Sequence, residues 1–280
     1  MTSSLRQILV HLDPTAGAMH RVGLAREIAQ RHGAEVAALY AVTPTYLEMP
    51  YTPEIGPSLA ADLVKMDEER RAKVMRGFDA EVSKLGPTVT WAHAEEGPAA
   101  INFAQQARFA DLLVLGQPDG DDPAARCVPT NFVADVLSDS GRPALVVPYI
   151  GMSSEPGGTV AIAWKDTPQA VRALAAALPF LARATHVHIL SWGTGQAAQV
   201  SGRALSLDHY LKVHGIAATW HRDPGEPGDL GDLLMSRVAD LGADLLVMGC
   251  YGHSRAREWA MGGVSRTVLQ SMTVPVLMAH

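Results

Sequence analysis

Cysteine is nearly missing from this chain: only Cys127 and Cys250 occur among 280 residues. Two thiols build no disulfide framework, so a reducing compartment is expected. Positive charge is short as well. Against 29 Asp and Glu stand 23 Lys and Arg, a formal net charge of −6. That balance leaves no basic surface by default and argues against nucleic acid or an anionic membrane as the main partner. Long apolar runs are also lacking. The richest stretches are broken by Arg172, Pro179 or Arg183, so none reads as a membrane span. The opening MTSSLRQILVHLDP has no signal-peptide core before Pro14 interrupts it. The expected location is therefore the cytoplasm. Histidine is not scarce, at 11 residues, but these are scattered along the chain without metal-ligand spacing, and no metal site is expected from them.

What is present is a duplication. Residues 110–116 read ADLLVLG and residues 243–249 read ADLLVMG. Each is followed by a helical segment and a closing apolar run, RPALVVPY at 142–149 and TVPVLMAH at 273–280. The upstream parts agree. Short β-branched runs at 7–12 and 159–164 each lead through a turn into a helix, expected near 18–32 and 167–183. Strands at 35–42 and 185–192 follow, then a helix near 58–85 or 200–214, strands at 88–94 and 217–222, and a helix before the ADLLV strand. Each half thus reads βαβαβαβαβ. Such alternation predicts an α/β fold of two tandem doubly wound parallel five-stranded sheets, with buried strands that are apolar throughout. The domains are expected at 1–150 and 157–280, joined by the Pro/Gly/Ser-rich IGMSSEPGG of 150–158. The Pro-rich 46–57 reads as an irregular insertion.

The chemistry concentrates near the end. An apolar run stops at Gly249, Gly252 follows after two residues, Gly262 after nine more, and a helix is expected over 264–271. Strand, glycine loop and helix N-terminus is a layout in which backbone holds phosphate. Gly249 would let the strand turn, and Gly252 would let backbone approach a ligand closely. Gly262 and Gly263 would leave unpaired N–H groups exposed at the positive end of the helix. The plainer reading is a glycine-rich turn that only packs helix on sheet.

This tail resembles the universal stress protein family, whose signature is G-x2-G-x9-G followed by Ser or Thr. Gly249, Gly252 and Gly262 take the glycine positions, and Tyr251-Gly252-His253-Ser254 and Gly262-Gly263-Val264-Ser265-Arg266 look like the family's loop and helix start. The duplicated layout looks like the tandem two-domain members. The resemblance implies a Rossmann-like fold of the adenine nucleotide α-hydrolase-like type. It also implies an adenine nucleotide, ATP with Mg2+, held in the second domain by Gly249, Gly252, His253, Gly262, Gly263, Val264 and Ser265. The family's carboxylate at the end of the first strand is Lys165 here, and the backbone contact to the base falls near Trp192. Gly263 replaces the Ser/Thr, which removes one hydroxyl donor worth about 0.5–1.5 kcal/mol; Ser265 stands two residues on. Single-domain relatives pair through their last strands, so 143–148 and 273–279 are expected to form an intramolecular pseudo-dimer, with a further homodimer left open.

The first half departs further. It keeps Asp13 at its strand end, but its loop, GQPDGDDP at 116–123, carries three aspartates that repel phosphate. It is expected not to bind nucleotide, and Asp13 to serve as a turn or helix-cap residue. Cys250 and His253 flank the loop glycines without a third orienting group, so no catalytic residue is expected; Cys250 is at most an oxidisable thiol. Arg255 and Arg257 are either phosphate neighbours or a solvated loop. Glu95, Glu96, Asp223 and Glu226 end the third strands and read as turn residues. Two functions follow. One is a stress-response sensor or regulator that binds ATP and at most hydrolyses it slowly. The other is a nucleotide-free interaction module whose loops are vestigial; Lys165 and Gly263 favour it, while the intact glycine spacing favours the first.

Overall fold

The computed structural model describes residues 5–48, 56–95, 97–152, 156–193, 201, 204–225, 228–250 and 263–280. The chain divides into two compact units, Leu5–Gly151 and Met152–His280. The first runs β1 (Gln7–Leu12), α1 (Gly17–His32), β2 (Glu35–Tyr40), α2 (Thr45–Glu48), α3 (Pro57–Val82), β3 (Val89–His93), α4 (Ala99–Ala107), β4 (Leu112–Gly116), a 3-10 turn (Pro123–Cys127), α5 (Phe132–Ser140) and β5 (Ala144–Val147). Its strands are parallel in the order β3-β2-β1-β4-β5. The second runs β6 (Thr159–Ala163), α6 (Pro168–Leu181), β7 (His186–Trp192), α7 (Leu207–Val213), β8 (Thr219–Asp223), α8 (Leu230–Asp240), β9 (Leu245–Gly249), α9 (Gly263–Ser271) and β10 (Val276–Ala279). Its order is β8-β7-β6-β9-β10, again parallel.

The central strands are buried along their length, as continuous apolar runs require of a sheet covered on both faces. Leu112, Leu113 and Val114 in β4 and Leu245, Leu246 and Val247 in β9 have no exposed surface. The aspartate of each ADLLV repeat has a shared structural task. Asp111 accepts hydrogen bonds from the backbone N–H of Arg6 and Gln7, and Asp244 from those of Gly157, Gly158 and Thr159. Each carboxylate therefore pins the start of the first strand of its half against the fourth and satisfies donors the ladder leaves free.

Local signals set the helix ends. Thr167 caps α6 by accepting from the Ala170 N–H, with Pro168 at the first helical position. Ser206 caps α7 in the same way through His209, which starts that helix several residues after the sequence-based expectation. The expected irregular insertion begins instead with α2. Asp67 of α3 accepts from the Thr45 backbone and hydroxyl, and Arg70 pairs with Glu48 at 3.1 Å. These are contacts with a later helix, invisible to a local pattern. Among the described residues no helix is long and apolar enough to cross a membrane.

Candidate functional site

In each half the chain reverses direction across the sheet between its first and fourth strands, the place where open α/β sheets take ligands at the carboxyl edge. In the second half these strands are β6 and β9. Ala163 pairs with Met248 on one side and Leu190 of β7 on the other. The register therefore carries Lys165, Gly249 and Trp192 to a common edge. Lys165 and its neighbour Asp166 are exposed, and Trp192 is half-buried. The Thr167 N–H donates to the Lys165 carbonyl at 2.7 Å, so the chain turns here directly into the cap of α6.

Gly249 is essential here for close packing. It pairs within β9 opposite Ala279 and has no left-handed backbone. A methyl group at this position would lie 2.5 Å from the Ala170 nitrogen and 2.6 Å from the Gln169 carbonyl carbon. The first turn of α6 thus rests directly on the end of β9. The next residue, Cys250, is 1% exposed, and burial pushes its thiol up to about 12. The exposed, oxidisable thiol that the sequence left open there is instead an inert core residue.

At the far side of the loop, α9 opens with Gly263, which is exposed, and a methyl group there would meet nothing within 4 Å. No acidic residue stands in the first turn of α9. Its orphan N–H groups and the Lys165 ammonium are donors of the kind that a polyanion requires. Val264 is half-buried and Ser265 is buried, at 6% exposure. Gly252, His253 and Gly262 lie outside the described residues, as do Arg255 and Arg257. Asp223 accepts from the Gly225 N–H in the turn after β8. Among the described residues no three His, Cys, Asp or Glu side chains are grouped to hold a metal ion.

The first half fills the corresponding place with its own side chains. Asp13, at the end of β1, accepts from the Thr15 N–H at 2.9 Å and from its hydroxyl. It is also paired at 2.6 Å with the Arg21 guanidinium, whose Nε donates to the His11 carbonyl. Arg21 Nη1 would stand 2.4 Å from a methyl group on Gly116. The guanidinium therefore occupies the surface above the end of β4. His11 stacks on Phe132 at 4.2 Å and meets Phe103 edge-on at 5.3 Å. Its Nε2 lies 2.8 Å from the Ala41 carbonyl, which assigns the proton to Nε2. Burial, the largest influence, pushes His11 down to about 4. Burial raises the Asp13 carboxyl, but the Arg21 guanidinium, with the two Thr15 hydrogen bonds, outweighs it and holds it below the usual carboxylate range. In the loop, Asp122 caps the 3-10 turn through Ala124 and Asp119 accepts from the Asp121 N–H. Arg21 was not legible as a site residue. Its one signal was a charge beside the apolar face of α1.

Residues 159–280 match the model of the universal stress protein family. A universal stress protein from Archaeoglobus fulgidus DSM 4304 is 16% identical, with 98% of this chain and 95% of that chain covered and a TM-score of 0.68. A putative universal stress protein from Pseudomonas aeruginosa UCBPP-PA14 is 18% identical over 98% of this chain and 93% of its own, with a TM-score of 0.57. A functionally unknown protein from Pseudomonas aeruginosa PAO1 is 16% identical over 98% and 92%, with a TM-score of 0.58. Among curated proteins none matches the chain. Residues 159–280 are thus similar to the universal stress protein family, and the doubled α/β fold is shared with solved universal stress proteins along nearly the whole chain.

Proposed function

We propose that the second half binds an adenine nucleotide, ATP in its Mg2+ complex, and that the protein serves as a sensor or regulator in a stress response. The observation that carries this reading is the contrast at the two carboxyl edges. Arg21 covers Gly116 in the first half, whereas α9 begins on an open glycine and Lys165 is an exposed cation in the second. Backbone N–H groups at the start of α9, the loop glycines Gly252 and Gly262, and the Lys165 ammonium would hold the phosphates. The half-buried Trp192 stands at the end of the neighbouring strand, where the base would lie. The magnesium ion would arrive on the phosphates and keep several of its waters, as this small cation usually does. Lys165 accepts no hydrogen bond, so it favours the phosphate end of a ligand over the ribose hydroxyls. Fast hydrolysis is not part of the reading.

The same two departures, Lys165 for a carboxylate and Gly263 for a hydroxyl residue, are what favours a second reading: a nucleotide-free interaction module. One measurement separates the two. Protein purified under native conditions is denatured and the supernatant analysed for nucleotide, and its melting temperature is followed with MgATP. Ligand at about 100 times its Kd adds about 2.7 kcal/mol to the native state. The expected outcome is a clear upward shift, abolished by Gly262→Val and reduced by Lys165→Ala, with Gly116→Val keeping the shift. No released nucleotide and no shift at millimolar MgATP overturns the proposal in favour of the interaction module.

A further inference from the structure

The eleven histidines look scattered in the chain, yet the fold gathers three of them on one face of the second sheet. His186 and His188 alternate along β7 and so share a face. His221 stands on the adjacent β8, where its partner is Leu190 while His188 pairs with Thr219. The diagonal brings His188 Nδ1 to 3.1 Å from His221 Nε2, with ring centroids 5.2 Å apart. The His186 ring lies 6.4 Å from that of His188. Trp220 and Arg222 point to the other face, where the guanidinium sits 4.0 Å over the indole.

We propose that His188 and His221 form a two-imidazole chelate for a late first-row divalent transition metal ion, Cu(II) foremost and Zn(II) more weakly. Neutral imidazole is the ligand type these ions prefer, and affinity rises to a maximum at Cu(II). Two nitrogens 3.1 Å apart, each at the ordinary bond length of about 2.0–2.1 Å, subtend an angle of roughly 100° at a shared ion. That value lies between the square-planar and tetrahedral angles. A nitrogen-to-nitrogen hydrogen bond holds a single proton between the two rings. A metal ion takes the place of that proton, which moves to the far nitrogen of its own ring, so both imidazoles ligate in the neutral form.

The first half supplies the control. By register, Glu35, Ala37, Thr90 and Ala92 hold the positions of His186, His188, Thr219 and His221. There they line cavities of about 560 and 460 Å³ on the sheet face. This face is open in the first half, and the second half places imidazoles where the first has methyl groups. No third His, Cys, Asp or Glu joins the pair among the described residues. Water completes the coordination, and the ion exchanges readily, unlike one in a closed four-ligand site.

Titrating Cu(II) into the full chain and recording electron paramagnetic resonance tests this. One equivalent is expected to give a signal split by two imidazole nitrogens. His188→Gln and His221→Gln should each weaken binding about tenfold or more and remove that two-nitrogen pattern, while the exposed His20→Gln leaves both unchanged. Persistence of the pattern in both variants, or wild-type affinity no tighter than that of the double variant, overturns the proposal. The unmodified chain gives an independent reading. Substoichiometric Zn(II) should shift the imidazole nitrogen resonances of two histidines ahead of the rest. Uniform shifts across all eleven overturn it.

Discussion

The two halves solve the same packing problem in different ways at one place. The registers put Ile8 opposite Leu112 and Val160 opposite Leu245, so Gly116 answers to Gly249, Asp13 to Lys165 and Arg21 to Ala173. In the second half, the first turn of α6 comes down on Gly249 with backbone against backbone. In the first, a guanidinium is wedged over Gly116 and held there by Asp13 and the His11 carbonyl. Ala173 is too small to reach over that edge, where Lys165 is exposed. An arginine at position 21 fills the edge with a neutralised ion pair. A duplicated sheet edge can therefore be filled from within by one long side chain and a carboxylate to hold it, while the fold around it stays the same.

The largest test of this contrast is Arg21→Ala. It leaves the Asp13 carboxylate buried without its cation, and breaking a buried pair in this way costs about 3–5 kcal/mol. Urea denaturation should show that loss, and the paired change Asp13→Asn with Arg21→Met should recover much of it. If Arg21→Ala unfolds at the wild-type urea midpoint, the guanidinium is not the plug of the first half.

Acidification comes next. His11 is neutral in the folded chain and takes up a proton more readily when unfolded, because burial lowers it from 6.5 to about 4. The unfolded state therefore binds more protons between those values. Stability from this group is complete above pH 6.5, falls as pH drops, and is lost below about 4. The difference corresponds to roughly 3 kcal/mol. Asp13, held low, adds a loss of the same sign at more acid pH. His11→Gln should flatten the stability profile between pH 6.5 and 4, measured as urea midpoints across that range. An unchanged slope would remove His11 from the account.

The two glycines give the smallest and sharpest comparison. Gly249→Ala forces backbone atoms apart and should cost about 1–3 kcal/mol in any background. Gly116→Ala meets only the end of the Arg21 side chain, so its cost should largely vanish when Arg21→Ala is also present. A double-mutant cycle reads this directly. Equal costs for Gly116→Ala with and without Arg21 would break the comparison.

Much of the architecture was legible from residue order. The repeat ADLLV, the apolar strands and the intervening helical periods were enough for two parallel five-stranded sheets. β1 was legible to the residue, and α1 and α6 to within about two at either end. The candidate site was legible more thinly. The glycine spacing marked Gly249, but for a turn, and only the packed structure showed that α6 needs its missing side chain. The exposure of Cys250 was left open by the sequence, whereas its backbone N–H still bonds to Ala279 as the ladder ends. Of the histidines, the alternation His186-Val187-His188 in a β-branched run was a signal for a shared face. His221 lacked any such cue, because its place depends on how β8 is registered against β7.

Sequence alone determined the order of strands and helices, the duplication, and the presence of a strand–glycine–helix ending, since propensity and periodicity are written in neighbouring residues. Tertiary structure alone decided that Arg21 closes one edge, that Gly249 is a contact surface for α6, and that His188 meets His221. Each of these joins residues separated by a crossover, and the register that brings them within 3 Å or so is set by packing of the whole sheet, not by any local run of the chain.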